Sequence, residues 1–217
     1  MRTGLEYMKI RGMPFIFIII AVILFSTIYG CVATEMPPIT SITIKGAECS
    51  TELTSIDLSD MELTSSDIEA LKYMTNLSVL YLNNNQIADI NVLSDLTDLT
   101  FLFLAYNQIN DISALSGLTN LTHLALAYNQ INDISALSKL TNLTALFLDS
   151  NQITDIDALS GLTDLTYCLN LSDNPISDIS VLSGLTNLTK LYLHGIQITE
   201  TQKEELQTAL PNCDIIY

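Results

Sequence analysis

The chain of 217 residues has no tryptophan and little positive charge. It has 8 lysine and arginine residues against 24 aspartate and glutamate residues. Residues 31–217 have 5 basic and 23 acidic residues, so this part of the chain carries a net charge of −18. Binding to phosphate backbones requires neutralisation by lysine and arginine, so nucleic acid is not expected as a partner and anionic membrane surfaces are unfavourable.

The sequence also lacks the motifs that carry common chemistry. It has no glycine-rich phosphate-binding loop, no CxxC pair and no HExxH motif. Its only histidines are His123 and His194, which lie 71 residues apart in the chain. We therefore expect no enzymatic activity and no cofactor.

The first 30 residues have the pattern of a secretory signal peptide. Lys9 and Arg11 precede an apolar run of eleven residues, 15–25, and small and polar residues follow. That run is too short to cross a bilayer, whereas the wider stretch 13–32 has the roughly 20 residues that a spanning helix needs. An uncleaved N-terminal anchor is therefore the alternative to a cleaved peptide.

The end of this segment, Ile-Tyr-Gly-Cys at 28–31, resembles the lipobox of bacterial lipoproteins. The resemblance implies that Cys31 is lipidated and becomes the first mature residue. Tyr29 departs from the pattern, in which a small residue is usual. Residues 31–41 include Pro37 and Pro38 and are interpreted as a short extended linker.

A 22-residue unit repeats along most of the chain. Residues 104–121 and 126–143 differ at a single position, Gly117 against Lys139. The unit reads LTNLTxLxLxxNQIxDIxxLSx, and its central asparagine recurs every 22 residues at Asn85, Asn107, Asn129 and Asn151. The asparagine returns at Asn174 after one inserted residue near Tyr167, and a degenerate copy begins at Leu53. A fixed period of this length predicts a solenoid built from one supersecondary unit.

Within the unit, the spacing of apolar residues changes from two to three. Leu124 and Leu126 alternate with outward-facing residues, which indicates a short strand with one buried face. Asn129 follows at a turn, where its amide can bond backbone groups that the turn leaves without partners. The later aliphatic residues, at every third position, favour a 3₁₀-like segment: Ile131, Ile134, Leu137, Leu140 and Leu143.

The LxxLxLxxN pattern is the signature of leucine-rich repeats. The motif LTNLTxLxLxxNQIxDI resembles the 22-residue class of internalin-like bacterial surface proteins, over roughly residues 50–200. The resemblance implies an α/β fold, a curved leucine-rich repeat solenoid capped at both ends. Parallel strands would form its concave face and short 3₁₀ or helical turns its convex face. It also implies that a protein partner binds on the concave strand face.

We expect five segments along the chain. The N-terminal cap should contain a true helix with Ser65 or Ser66 as its capping residue, and the C-terminal cap a polar helix with Leu206 and Leu210 facing inwards. The segments are the signal peptide (1–30), the linker (31–41), the N-terminal cap with a degenerate repeat (42–74), the repeats (75–198) and the C-terminal helical cap (199–217).

One aspartate per unit precedes each 3₁₀-like segment, at Asp89, Asp111, Asp133, Asp155 and Asp178. A calcium ladder and helix capping are the two interpretations. We favour capping, because carboxylates spaced once per coil do not converge on one point as a hard cation requires. We therefore expect no metal site.

The outward positions of the strands contain most of the aromatic residues in the repeats. These positions contribute nothing to the inner core, and exposed contiguous aromatic side chains with a polar rim are typical of a binding patch. Aromatic residues also suit strands in general, which is the alternative explanation. The expected partner-binding residues are Tyr81, Phe101, Phe103, Tyr106, His123, Tyr128, Phe147 and Tyr192.

These observations predict a monomeric, non-enzymatic module that binds a protein or glycan ligand. We expect it to be extracytoplasmic, either secreted or held at the membrane by a lipid on Cys31 or by an N-terminal helix. Two alternatives remain open. One is an intracellular scaffold, similar to phosphatase-binding leucine-rich repeat proteins, and the other is a structural cell-envelope protein.

Overall fold

A computed structural model describes residues 8–9 and 39–217 of the chain. The expected signal peptide, its lipidation site Cys31 and most of the linker lie outside the described residues, except for the backbone of residues 8–9. Within the described part, no helix has the length and apolar character needed to cross a membrane.

Nine short strands of the described residues form one parallel sheet. Their order in the sheet follows the chain, except that the second and third strands of the chain are not part of it. A separate antiparallel hairpin, Ser41–Ile44 paired with Ala47–Ser50, lies in the chain between the first and second strands of this sheet. The strands are β1 (Met8–Lys9), β2 (Ser41–Ile44), β3 (Ala47–Ser50), β4 (Ser55–Asp57), β5 (Val79–Tyr81), β6 (Phe101–Phe103), β7 (His123–Ala125), β8 (Ala145–Phe147), β9 (Cys168–Asn170), β10 (Lys190–Tyr192) and β11 (Asp214–Ile216).

Short 3₁₀ helices return the chain on the opposite side of each coil, and consecutive ones contact each other. They span Ser65–Tyr73, Asn91–Leu93, Ser113–Gly117, Ser135–Lys139, Asp157–Leu159 and Ser180–Gly184, and an α-helix, Glu200–Ala209, follows the last coil. The predicted α/β leucine-rich repeat solenoid, with strands on one face and 3₁₀ turns on the other, is confirmed.

The interior of each coil is aliphatic and fully packed. In the coil of Asn129, the seven leucine and isoleucine residues from 124 to 143 are at most 2% exposed. Neighbouring coils close this core from both sides, because each strand pairs in parallel register with the next; Leu102, Leu124 and Leu146 are aligned. Burial therefore depends on the stack and not on the single repeat.

Side-chain ladders connect the coils outside the sheet. The hydroxyl of Thr122 donates to the carbonyl oxygen of Thr100 at 3.1 Å, and Thr144 repeats this contact to Thr122 at 3.1 Å. At the outer corner, the amide of Asn142 donates to the carbonyl oxygen of Thr119 at 2.8 Å. These ladders hold the strand face in a defined register.

The N-terminal cap differs from the expected true helix. Residues Ser65–Tyr73 form a 3₁₀ helix whose cap is Thr64, with the Thr64 N–H donating to Asp67 Oδ2 at 2.7 Å. Ser65 does not cap it, because its hydroxyl oxygen accepts from the backbone N–H of Asp89 in the next coil at 2.8 Å. The expectation of an α-helix capped at Ser65 or Ser66 was wrong. Buried apolar residues at every third position, 68, 71, 74 and 77, impose the 3₁₀ period.

The C-terminal helix ends the stack. The helix Glu200–Ala209 is capped by Thr199, whose hydroxyl oxygen accepts a hydrogen bond from the Gln202 N–H at 3.3 Å. Leu206 and Leu210 face inwards as expected, at 3% and 1% exposure. The last strand, β11, then pairs with β10 and extends the sheet by one coil.

Candidate binding surface

The structure brings the eight expected partner-binding residues onto one face of the sheet. Tyr81, Phe103 and Phe147 share one register position in β5, β6 and β8, with Ala125 between the two phenylalanines. The same position in β10 is Tyr192. Phe101 and His123 are direct partners at the neighbouring outward position, whereas Tyr106 and Tyr128 follow two of the strands.

Neighbouring aromatic rings on this face are stacked. The ring centroids of Tyr81 and Phe103 lie 4.7 Å apart, with an angle of 4° between the planes. Phe101 and His123 lie 4.5 Å apart. The interval between coils is close to the contact distance of parallel rings. The rings therefore form short columns along the solenoid axis.

The tyrosine pair is the most exposed part of the surface. Tyr106 and Tyr128 stack at 4.2 Å with 9° between their planes, and they are 51% and 45% exposed. The other six expected residues are half-buried. The pair thus provides the largest open aromatic area on the strand face.

Tyr106 and Tyr128 also have left-handed backbone conformations, which sequence reasoning missed. Their φ values are 58° and 54°. This conformation costs an L-residue of this size roughly 1–2 kcal/mol and is more often found for asparagine, aspartate or glycine. The signal was present in the repeat, because the equivalent position in other coils is occupied by Asn84, Ser150, Asp173 and Gly195.

Two carboxylates of the strand face were also missed. Asp149 lies two residues beyond Phe147 and is half-buried, and Asp173 lies on the next coil and is exposed. Burial raises the pKa of Asp149, and the charge of Asp173 adds to this effect. A strictly periodic interpretation of the repeat does not show them, because no earlier coil has an acidic residue at either position: the equivalents of Asp149 are Asn83, Ala105 and Ala127, and those of Asp173 are Asn84, Tyr106, Tyr128 and Ser150.

His123 is held by two neighbours. Its ring stacks on Phe101, and Nδ1 lies 3.0 Å from the hydroxyl of Thr122. Burial lowers the pKa of this imidazole. His194 follows β10, three strands along the sheet from β7, so the two histidines do not converge on one site.

Each aspartate of the column accepts a hydrogen bond from the first residue of the following 3₁₀ segment. It lies one residue before the N-cap, which is an isoleucine in each of these coils, so the expected capping position was wrong by one residue. In each of five coils Oδ1 accepts the backbone N–H of the second residue along, at 2.8 Å in four coils and 2.9 Å in that of Asp178. These hydrogen bonds lower the pKa of Asp111, Asp133 and Asp178. Within the described residues, no group of three or more histidine, cysteine or acidic side chains is arranged to hold a metal ion.

A family model described as leucine-rich repeats (2 copies) matches residues 51–96, 75–117, 97–139 and 168–208. The chain belongs to the leucine-rich repeat family. Within that family it is internalin-like. Internalin C2 of Listeria monocytogenes superposes with a TM-score of 0.69 at 32% identity, over 80% of this chain and 76% of that protein.

A second internalin of the same species superposes with a TM-score of 0.68 at 34% identity, over 76% of this chain. The chain spans only 54% of that internalin's length. A leucine-rich repeat protein of Leptospira interrogans shares the fold at 24% identity and a TM-score of 0.59, over 76% of this chain and 46% of its own. Curated proteins gave no match.

Proposed function

We propose that this protein is a non-enzymatic binding module that recognises a partner protein on its strand face. The observation that carries the proposal is the stacked pair Tyr106 and Tyr128, which is half exposed and is held in an unfavourable backbone conformation. Folding alone does not require a tyrosine here, since asparagine, serine, aspartate and glycine occupy the same position in other coils. Strained, exposed residues of this kind are typical of functional sites.

The rest of the strand face supports this role. The residues that dominate the binding energy of protein interfaces are enriched in tyrosine and tryptophan, because such side chains bury a large area with little loss of conformational freedom. Small residues separate the aromatic columns, and Ala125, Ala127 and Ala145 are at most 9% exposed. The aromatic rings therefore project above a layer of small, buried alanine side chains. The coil-to-coil ladders keep them in place before a partner arrives.

We also propose that the module works outside the cytoplasm. The support is the N-terminal pattern of basic residues, apolar run and Cys31, which predicts export followed by lipid attachment. A helical anchor in place of the lipid, or release from the cell, would leave the strand face equally accessible.

The binding proposal is tested by capture of partners with the full chain and with Phe103→Ala or Phe147→Ala. Removal of a central interface aromatic should weaken binding by about 2 kcal/mol, or roughly 30-fold. Tyr73→Ala is the matched control, because Tyr73 is 45% exposed but lies on the 3₁₀ side. If the two phenylalanine variants retain every interaction, the strand face is not the binding surface. A complete lack of partners would favour the structural envelope protein.

The location is tested by labelling cells with a palmitate analogue, with Cys31→Ala as the control, and by protease treatment of intact cells. Label on the wild type alone, together with cleavage of the domain, would support a surface lipoprotein. A domain without label that is protected from protease would contradict export. That result would favour the intracellular scaffold.

A further inference from the structure

We infer that the strand face holds a notch for one tyrosine or tryptophan side chain of the partner, above Ala125 and between Phe103 and Phe147. This inference deepens the proposed function, on which it rests, by stating which side chain the partner inserts. We call this place the Ala125 notch. Its walls are the two phenylalanines, its floor is Ala125, and His123 borders it on the same strand.

The notch is a break in a column of rings. Phe103, Ala125 and Phe147 are direct register partners in three successive strands. On the other side of Phe103, Tyr81 continues the column with a centroid distance of 4.7 Å and an angle of 4° between the planes. Repetition of the coil would place the next ring above Ala125 at the same spacing, but the chain has no ring there. One planar side chain of a partner can occupy that place.

The width of the notch matches one ring. Phe103 and Phe147 are two coils apart, which separates their backbones by roughly 10 Å. A ring midway between them lies one coil interval from each, close to the spacing that Tyr81 and Phe103 already have. Offset parallel rings attract each other at this distance. Ala125, at 9% exposure, forms a low floor between the two half-buried phenylalanine side chains.

His123 provides a hydrogen-bond acceptor beside the notch. The hydroxyl of Thr122 has a single hydrogen, which it donates to the carbonyl oxygen of Thr100 at 3.1 Å. The contact of 3.0 Å between this hydroxyl and Nδ1 of His123 therefore requires a hydrogen on Nδ1. In the neutral imidazole, Nε2 then has no hydrogen and is an acceptor. Burial lowers the pKa of His123, which favours this neutral form.

Nε2 of His123 is available to a partner. No described residue donates to it, and in the described part of the chain no buried side-chain nitrogen or oxygen lacks a hydrogen bond, so Nε2 is open to solvent. The ring is held by stacking on Phe101 at 4.5 Å. His123 and Ala125 share one face of their strand, about 7 Å apart. An indole N–H or phenol O–H above Ala125 can donate to this acceptor, whereas phenylalanine has no donor.

The charge near the notch favours a basic segment of the partner. Asp149 lies two residues beyond Phe147 on the same face and is half-buried. In the part of the chain that the structure describes, Asp149 is in no ion pair. The segment after residue 30 has a net charge of −18. The predicted partner is thus a protein that presents a tyrosine or tryptophan next to lysine or arginine.

The test measures binding of a blocked tripeptide, Lys-Trp-Lys, to the full chain at about physiological salt. Because the chain has no tryptophan, selective excitation of the peptide's indole reports its burial. Ala125→Phe fills the notch with the residue that both neighbouring coils have at this position, so the fold should tolerate it. The matched control is Asn170→Phe, which adds a ring to the same column on the far side of Phe147, outside the notch.

We expect a saturable blue shift of the indole emission with the wild type and a Kd about tenfold higher, or more, with Ala125→Phe. Asn170→Phe should leave the Kd unchanged, and urea midpoints check that both variants are folded. If Ala125→Phe binds the peptide as well as the wild type or better, the added ring only extends the surface and the inference is overturned. A wild type that gives no shift, or equal competition by Lys-Leu-Lys and Lys-Tyr-Lys, would also overturn it.

The acceptor is tested separately. His123→Phe keeps a ring next to Phe101 but removes Nε2, and 1-methyltryptophan in the peptide keeps the indole but removes its N–H. Each change alone should raise the Kd about two- to tenfold, and the two together should raise it no further than one alone. Fully additive losses would show that no hydrogen bond joins these groups, and would overturn the preference for tyrosine and tryptophan.

The response of a captured partner separates this inference from the proposed function. A partner that requires Phe103 and Phe147 but binds the Ala125→Phe variant normally would support the strand face and overturn the notch. A peptide that binds in the notch of a chain without any partner on the strand face would overturn only the proposed function.

Discussion

The side-chain oxygen of Asn129 accepts a hydrogen bond at 3.0 Å from the backbone N–H of Ile109, which lies twenty residues earlier in the chain. Through Nδ2 the same side chain donates to the carbonyl oxygens of Leu104 and Leu126, both at 3.0 Å. Because Leu104 belongs to the preceding coil and Leu126 to its own, one buried amide joins two coils.

Removal of this amide should destabilise the whole stack. Asn129→Ala leaves the buried N–H of Ile109 without a partner and removes one of two donors from the carbonyl oxygens of Leu104 and Leu126. We therefore expect the free energy of unfolding to fall by about 1–3 kcal/mol. Urea denaturation of the purified chain measures the change. Asn132→Ala is the control, since Asn132 is exposed in the same coil. A similar midpoint for the two variants would contradict the role of the ladder.

Tyr106→Asn should weaken partner binding without weakening the fold. The substitution relieves a left-handed tyrosine, which is worth roughly 1–2 kcal/mol, and removes a stacked ring pair, which is worth roughly 0.5–1.5 kcal/mol. The two effects nearly cancel, so we expect a change in stability within about 1 kcal/mol. Thermal unfolding measures the change in stability, and partner capture measures the change in binding. A large loss of stability would show that the tyrosine serves folding.

Asp149→Asn should stabilise the protein near neutral pH. Burial raises the pKa of the Asp149 carboxyl above its ordinary value. A carboxyl group whose pKa is higher in the folded than in the unfolded state stabilises the fold fully at pH values below its unfolded pKa. This stabilisation is lost as pH rises through the folded pKa. We therefore expect the variant to have the higher melting temperature at pH 7 and little advantage at pH 3. An advantage that is independent of pH would disprove this explanation.

Asp133 should show the opposite pH dependence. The hydrogen bond from the Ser135 N–H to its carboxylate lowers the pKa of Asp133. Its contribution is present above the unfolded pKa and is lost as pH falls through the folded pKa. Asp133→Asn keeps an acceptor oxygen and should lose less stability between pH 7 and pH 3 than the wild type does. Asp133→Ala should be less stable than the wild type at pH 7. The midpoints of urea denaturation at pH 7 and pH 3 measure these differences in stability. Asp164→Asn is the control for the loss of one negative charge.

The strongly periodic parts of the repeat could be predicted from sequence. The buried positions of Leu124 and Leu126, the ladder of Asn129 and the 3₁₀ return after Asp133 all follow from spacing, because one coil must match the next. The cap at Thr64 could not be predicted in this way. Several hydroxyl residues compete there, and contacts with the following coil decide which hydroxyl caps the helix and which one, Ser65, bridges to Asp89.

The sequence by itself determined the coil. Apolar residues at intervals of two and then three, with one asparagine at the turn, allow few other ways of burying this chain, because the same pattern must satisfy every neighbouring coil. Tertiary structure alone decided which outward side chains meet. The 4.2 Å contact of Tyr106 and Tyr128 depends on the register between coils and on the backbone conformation after each strand. Residues 22 positions apart become neighbours only when the stack has formed.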